Sequence, residues 1–154
     1  MVKTLAPGDT ISSKQATIFA TVNGKNINII ECQELTAKIE KNKEQVQAIG
    51  SIWTGHKTTS LEGTGSFNRY VVNSTWIQAH QSLLDGGADL YFSINATIED
   101  KTSSVGKQTI LISGVNLDDI NLLNLSSDDG LITDESDFTF ENCKLITPFT
   151  GIKA

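Results

Sequence analysis

The sequence contains little of what several common classes of protein require. Its 154 residues include two cysteines, two prolines, one methionine, two tryptophans and two tyrosines. Two cysteines are too few for the disulfide framework of a small secreted domain. No apolar run approaches the about 20 residues of a transmembrane helix, and the N-terminal stretch MVKTLAPGDTISSK lacks the apolar centre of a signal peptide. We therefore expect a globular protein that is made in a cytoplasm and has no stable association with membranes.

The two cysteines, Cys32 and Cys143, fall in segments with strand-like sequence. In a reducing compartment we expect both thiols to be free and buried, and a disulfide between them is the alternative. A zinc site has less support, because no C-x-x-C motif occurs and neither His56 nor His80 has a partner at the spacing of metal ligands.

Complete motifs for nucleotide binding and catalysis are missing as well. Gly63-x-Gly65 begins like a dinucleotide-binding glycine run, but Asn68 stands where the third glycine is required. His56 could act as a general base, yet no serine or cysteine nucleophile accompanies it in a recognisable motif. We predict a protein with no enzymatic activity and no cofactor, and a small hydrolase that uses His56 is the enzymatic alternative.

The acidic stretch from Asp128 to Asp137 has the composition of a calcium-binding loop. The order of EF-hand ligands is absent from it, because Ser127 and Leu125 occupy the positions two and four before Asp129. We therefore expect a solvated acidic turn and no bound metal.

The dominant pattern in the sequence is an alternation of apolar and polar residues. It is clearest over residues 16–22, 33–41 and 90–99, and the first of these leads into Asn23-Gly24, a strong signal for a tight β-hairpin. Such alternation is typical of strands with one buried and one solvated face. Further strands are predicted over residues 25–31, 44–49, 64–72, 107–117 and 136–146.

One segment has helical spacing instead. Residues 74–85 carry apolar side chains at i, i+1, i+4, i+7 and i+8, with His80 on the apolar face as a hydrogen-bonded core residue. Asn73 or Ser74 can cap the start, and the pair of glycines that follows can end the helix. The sequence predicts a mainly β fold, a β-sandwich or partial barrel with one α-helix, in a single domain over residues 1–154 with a flexible N-terminus over about 1–12.

The net charge of −6 is distributed unevenly along the chain. Residues 1–84 have a balance of +2, whereas residues 85–141 have a balance of −10. This composition disfavours specific binding of DNA, because such binding depends on neutralised phosphates. Opposite charge on two parts of one chain also allows copies of the protein to attract each other, although an acidic surface can simply maintain solubility.

The stretch GSIWTGHKTTSLEGTG, residues 50–65, is rich in glycine, threonine and serine, yet it contains a tryptophan. It predicts a long surface loop over about 50–63, because buried loops leave backbone groups unpaired. An exposed tryptophan beside apolar neighbours is typical of an interface, so we favour an arm that reaches another molecule over a loop folded on its own core. The candidate inter-subunit residues are Ile52, Trp53, Thr54, Gly55, His56, Lys57, Thr58, Thr59 and Leu61.

Several runs resemble the tail tube proteins of contractile-tailed bacteriophages and of defective phage-like particles from Gram-positive bacteria. The similarity extends over about residues 12–149. The runs that carry it are EKNKEQVQAIG at 40–50, TGHKTT at 54–59, GTG at 63–65 and FTFE at 138–141.

The resemblance implies a structural protein of the virion. Six subunits would close into a ring, each contributing strands to one continuous inner barrel, and rings would stack head to tail inside a contractile sheath. The long loop would reach an adjacent ring, and the helix would lie outside the barrel. The implied partners are further copies of the chain, the sheath, the baseplate and the tape measure protein, in a tail assembled in the bacterial cytoplasm.

The tube would be a conduit for DNA, which passes without specific binding, or a device for membrane puncture. An acidic bore would let DNA slide, because phosphates gain nothing by adhering to it. The candidates for an acidic bore or a complementary acidic face are Asp118, Asp119, Asp128 and Asp129.

The alternative function is a monomeric β-sandwich that binds a glycan or protein ligand through Trp53 and Tyr91. The small number of tryptophans and tyrosines makes an aromatic platform for glycans less favourable. The two functions differ in their expected state in solution, since the first requires assembly and the second requires a stable monomer.

Overall fold

The computed structural model describes residues 4–29, 31–128 and 130–151. Within them the chain forms eight strands and two short α-helices, preceded by two 3-10 turns. No helix in these ranges has the length and apolar character that crossing a membrane requires. The elements are β1 (Ala16–Val22), β2 (Lys25–Asn28), β3 (Cys32–Val46), β4 (Gly55–Tyr70), α1 (Thr75–Ala79), α2 (Gln81–Leu84), β5 (Phe92–Glu99), β6 (Lys107–Leu117), β7 (Thr133–Phe140) and β8 (Asn142–Thr147).

The strands form one antiparallel sheet in the order β2-β1-β5-β6-β7-β4-β3, with β8 also paired to β6. The predicted mainly β fold is therefore confirmed. At the β1–β2 turn, Asn23 and Gly24 have φ of 51° and 79°. Positive φ at both positions is the geometry of a type I′ turn, as their sequence predicts.

The sheet folds over at β6, which pairs with β5 and β8 through most of its length and with β7 only at Asn116 and Leu117. Gly114, with a φ of 69°, lies where the partner of β6 changes. Between the pairs Phe92↔Val115 and Ile94↔Ile112, β6 contains one residue more than β5. A glycine with positive φ at such a bulge sharpens the local bend of a strand. The bend brings the two halves of the sheet face to face.

The core fills the space between the two halves of the folded sheet. Ala20, Ile94 and Ile112 come from one half, and Phe67 and Phe138 from the other. Trp76 on α1 bridges them, with its ring centroid 5.9 Å from that of Phe67 and 5.1 Å from that of Phe92. The helical segment therefore closes one end of the core, which accounts for its apolar face.

The helical prediction is correct in position but not in continuity. The chain forms two helices separated at His80, whose ring Nδ1 lies 2.7 Å from the carbonyl oxygen of Trp76. The backbone N–H of His80 also reaches that oxygen, at 3.2 Å. Two groups share one helical acceptor, and the side chain of His80 is buried with its bond satisfied, as predicted.

The region between Val46 and Gly55 differs most from the sequence prediction. The predicted loop over about 50–63 is correct only for residues 50–54, and the predicted strand over 44–49 is correct only for residues 44–46, because β3 continues to Val46 and β4 begins at Gly55. Residues 42–46 of β3 and 55–62 of β4 are exposed on both faces, so their sequence carries no apolar alternation. Threonine favours extended backbone without contributing to such a pattern.

Gly63 and Gly65 in β4 lie beneath aromatic rings of β7, and no glycine-rich nucleotide loop is present there. A Cβ on Gly63 would approach the ring of Phe140 to 2.5 Å. A Cβ on Gly65 would collide with the ring of Phe138 and with the carbonyl oxygen of Thr36. Glycine at both positions therefore allows the phenylalanine rings to pack flat against the strand.

We expect Gly65→Ala to lower the free energy of unfolding by about 1–3 kcal/mol, the usual cost of overpacking a core. The backbone oxygen of Thr36 cannot move aside as a flexible side chain would. The measurement is urea denaturation, with Gly8→Ala as the matched control, because no atom lies within 4 Å of a Cβ built on Gly8. Equal stability of the two variants would contradict this account of Gly65.

The N-terminal segment has side-chain partners in the β5–β6 connection. Ser104 Oγ donates to Asp9 Oδ1 at 2.6 Å, and the N–H of Ser12 donates to Asp100 Oδ2 at 2.9 Å. Hydrogen bonds from Thr102 and from the N–H of Ser12 hold the pKa of Asp100 below its usual range. The flexibility expected over about 1–12 stays a prediction, and residues 1–3 lie outside the described residues.

Both cysteines are free thiols. Cys32 is partly buried, and this burial raises the pKa of its thiol. Cys143 is exposed on β8, so the expectation that both cysteines are buried is wrong for it. Residues 136–146 were expected to form one strand, but a bend at Glu141 separates β7 from β8.

Candidate assembly surfaces

The β3–β4 hairpin extends beyond the rest of the sheet. Pairing of β4 with β7 ends at Gly63↔Phe140, whereas pairing of β4 with β3 continues to Val46↔Gly55. Among the described strands, the part of β4 before Gly63 therefore pairs only with β3. At about 3.3 Å per residue, this two-stranded arm projects about 27 Å from the sheet.

The turn of this arm, residues 47–54, is termed the hairpin tip. Three large apolar side chains are almost fully exposed on it, namely Ile49, Ile52 and Trp53, which is 83% exposed. The turn is locally ordered, because the N–H of Trp53 donates to Ser51 Oγ at 3.2 Å and Gly50 adopts a φ of 86°. Trp53 thus lies in solvent, away from the core of its own chain.

The predicted loop residues divide between the hairpin tip and β4. Ile52, Trp53 and Thr54 belong to the tip, and the others lie on the arm in β4, all of them exposed. His56 pairs with Gln45 across the hairpin. The β4 members of the set are Gly55, His56, Lys57, Thr58, Thr59 and Leu61.

A second apolar surface lies at the opposite end of β4. The connection between β6 and β7, residues 118–132, is termed the leucine loop, and its described residues, 118–128 and 130–132, form no strand. Tyr70, the last residue of β4, pairs with Thr133, and the N–H of Val71 donates to the carbonyl oxygen of Ile132 at 2.9 Å. The leucine loop and the hairpin tip are therefore separated by the length of β4, about 50 Å at the usual strand rise.

The exposed leucines border a groove between the leucine loop and α1. The groove has a volume of about 120 Å³ and includes Ile77 and Ile132 in its lining. Side chains of Asn121 and Asn124 fasten the loop, since they donate to the carbonyl oxygens of Glu135 at 2.7 Å and Thr133 at 2.6 Å. The leucines that line the groove are Leu122, Leu123 and Leu125, and Leu131 is a further exposed leucine of the same loop; each is 59–82% exposed.

Arg69 is buried beneath the groove and was missed by the sequence analysis. It is 4% exposed, with its Nη2 at 3.2 Å from Asp134 Oδ2 and its Nη1 at 3.9 Å from Glu31 Oε1. Nη1 has no hydrogen-bond partner among the described residues. The sequence does contain a sign of its burial. Arg69 is the only arginine in a chain with eleven lysines, and it lies two residues after Phe67, on the same face of the predicted strand. Arginine is the cation better suited to buried pairs with carboxylates.

The structure describes three of the four candidate aspartates, and these three do not lie in one place. Asp118 borders the polar face of β3, β4 and β7, where its N–H donates to the carbonyl oxygen of Asp137 at 2.8 Å. Asp119 lines a small cavity with His80, and Asp128 is exposed in the leucine loop. Asp129 lies outside the described residues. Among residues 4–29, 31–128 and 130–151, no group of three or more His, Cys, Asp or Glu side chains is arranged to hold a metal.

Trp53 and Tyr91 lie on different parts of the molecule. Trp53 is on the hairpin tip, whereas Tyr91 precedes β5 and borders a depression next to the β1–β2 turn at Asn23 and Gly24. The two rings therefore do not form a common platform for a glycan.

Comparison with known proteins identifies similar chains. A family model described as "Phage tail tube protein" matches residues 3–147. The chain is 34% identical over 134 residues to the phage-like element PBSX protein XkdM of Bacillus subtilis (strain 168), an alignment that covers 87% of this chain and 88% of that protein.

Solved structures share the fold at low sequence identity. A chain of the anti-feeding prophage baseplate, solved with 6-fold symmetrisation, has a TM-score of 0.65 at 11% identity and covers 94% of this chain and 97% of its own length. A chain of the sheath-tube complex of the extracellular contractile injection system PVC, in its extended state, has a TM-score of 0.59 at 10% identity, with coverages of 88% and 90%.

Proposed function

Because this chain belongs to the phage tail tube protein family, we propose that it builds the inner tube of a contractile tail from stacked rings of six copies. The family establishes a structural role in a phage-type tail. Six-fold rings are supported by the 6-fold symmetrised baseplate of the anti-feeding prophage, one of whose chains shares this fold.

The observation that carries the proposal is the open edge of β3. This strand is the last in the order of the sheet, and its 15 residues have a neighbouring strand on one side only among the described residues. Long unpaired edges promote uncontrolled association, and proteins commonly protect them. Pairing of β3 with a strand of the next copy around a ring would cover this edge in every copy, so that strands of six copies join in one barrel.

The proposed barrel has a packed face and a wet face. In β4 the side chain of Phe67 points into the core, so the alternate positions Thr64 and Ser66 point the other way, beside Thr36 and Lys38 of β3. We assign this polar face to the bore. Of the four aspartates, Asp118 borders it, whereas Asp119 and Asp128 belong to the leucine-loop side.

The bore lets DNA pass without specific binding. Around the same depression Lys38 is accompanied by Asp118 and Asp137, so the face carries no excess of cations that phosphates could neutralise. The tube protein is a component of the virion tail, and we propose that it assembles in the host cytoplasm with sheath, baseplate and tape measure proteins. The sheath is supported by the sheath-tube complex of the PVC injection system. No enzymatic step enters this function.

Negative-stain electron microscopy and sedimentation velocity of the purified protein test the proposal. We expect six-membered rings that stack into hollow tubes as the protein concentration is raised. A monomer that persists at high concentration, with no rings, would contradict the proposal and favour the alternative, a monomeric ligand-binding module.

A further inference from the structure

We propose that the hairpin tip of one copy docks into the groove of the leucine loop of a copy in the adjacent ring. This inference rests on the proposed function, since it names the surface that receives the arm when rings stack. The occupant of the groove is therefore a second copy of this chain.

The positions of the two surfaces fit stacking in one direction. The tip lies before Gly55 at the beginning of β4, and the leucine loop adjoins Tyr70 at its end. A contact between opposite ends of identical molecules is a heterologous interface. Repetition of such an interface builds an open filament unless the copies close into a ring. An arm that projects about 27 Å beyond the sheet is long enough to cross the boundary between rings.

Both surfaces expose apolar side chains that the chain itself does not cover. The tip presents Ile49, Ile52 and Trp53, and the groove presents a row of leucines. Burial of a tryptophan among aliphatic side chains is typical of the central, most strongly binding part of an interface. Exposed apolar patches on a folded protein mark sites of association.

Charge favours the same pairing. Residues 41–57, which contain the tip, carry three lysines and one glutamate, a balance of +2. Residues 118–137, which contain the leucine loop, carry seven acidic residues and no basic residue. Among these acidic residues, Asp128 in the leucine loop and Glu135 in β7 are exposed. A charged rim of opposite sign around an apolar centre sets orientation and register at interfaces.

Cysteine cross-linking tests the pairing, in a background in which Cys32 and Cys143 are replaced by serine. We expect the double variant Ile52→Cys/Leu123→Cys, assembled into tubes and oxidised with diamide, to give a ladder of covalent oligomers on a non-reducing gel. Each copy has one cysteine at each end, so chains of more than two copies form, whereas either single variant stops at dimers. Ile52→Cys/Leu145→Cys is the matched control, because Leu145 is an exposed leucine on β8.

The outcomes separate this inference from the function on which it rests. Tubes that form without a ladder from Ile52→Cys/Leu123→Cys overturn the docking site and leave the tube function standing. A control that gives the same ladder also overturns it, because the contact is then not specific to the leucine loop. If neither rings nor tubes form from the unsubstituted protein, the proposed function fails, and the docking site fails with it.

A second variant tests the apolar nature of the contact. We expect Leu125→Glu to raise the protein concentration required for tube growth at least tenfold while six-membered rings persist, because a carboxylate cannot be buried unpaired against the tip. Rings that stack at the concentration of the unsubstituted protein would contradict docking in this groove.

Discussion

A variant in which Asn-Gly replaces residues 47–54 is expected to fold normally and to lose the ability to form tubes. Val46 and Gly55 face each other as the last pair of the hairpin, so a two-residue turn can join them directly. The chain already uses this solution at Asn23-Gly24, between the paired residues Val22 and Lys25. The replacement therefore removes the hairpin tip without disturbing the strands.

The expected effect is large because the tips act together. A buried tryptophan at an interface contributes about 2–4 kcal/mol when removed. In the proposed ring six tips engage the neighbouring ring at once, and binding of the first raises the effective concentration of the others. Losing all six should abolish long tubes at concentrations at which the unsubstituted protein stacks, while rings remain.

Electron microscopy and sedimentation of the tip-replaced variant provide the measurement, with circular dichroism to verify the fold. Ser51→Ala serves as control, because it changes the turn while Ile49, Ile52 and Trp53 remain. Tubes of normal length from the tip-replaced variant would refute the role of the arm in stacking.

Substitution of Arg69 by methionine is expected to lower the free energy of unfolding by about 3–5 kcal/mol, the cost of leaving buried charge uncompensated. Methionine keeps much of the side-chain length but removes the cation between two carboxylates. The side chains of Glu31 and Asp134 are only 7% and 12% exposed, so water cannot replace the lost partner.

Lys38→Met is the matched control for this substitution. Lys38 Nζ lies 3.0 Å from Glu40 Oε1, but the two side chains are 70% and 54% exposed. An exposed pair contributes about 0–1 kcal/mol, so the control should unfold close to the unsubstituted protein in urea. If both variants lost a similar free energy of unfolding, burial of Arg69 would not explain its contribution to stability.

Local pattern predicted much of the sheet. The alternation over residues 16–22 and 90–99 corresponds to β1 and β5, and Asn23-Gly24 forms the predicted turn. These strands have one face toward the core, so the burial that stabilises them also appears in their sequence. The apolar face of the helical segment was recognised for the same reason.

The arm was not predictable in this way, because its strands are solvated on both faces. Residues 55–63 pair with the backbone of β3 but contribute no side chain to the core, so their sequence resembles that of a loop. The candidate surfaces were predicted unevenly. Exposure of Trp53 followed from its polar surroundings in sequence, whereas the groove depends on Ile77 and Ile132, which come together only in the folded chain.

The isolation of the β3–β4 arm affects how growth begins. A two-stranded ribbon without a third strand or a packed face is only marginally stable in water. Ordering such a ribbon between two copies costs conformational entropy each time a free copy meets another. In the proposed ring, six ribbons would lie side by side at fixed spacing, so this entropy would already be lost before the next ring binds. If the protein stacks as proposed, we therefore expect growth to start slowly and then to extend existing ends in preference to forming new nuclei.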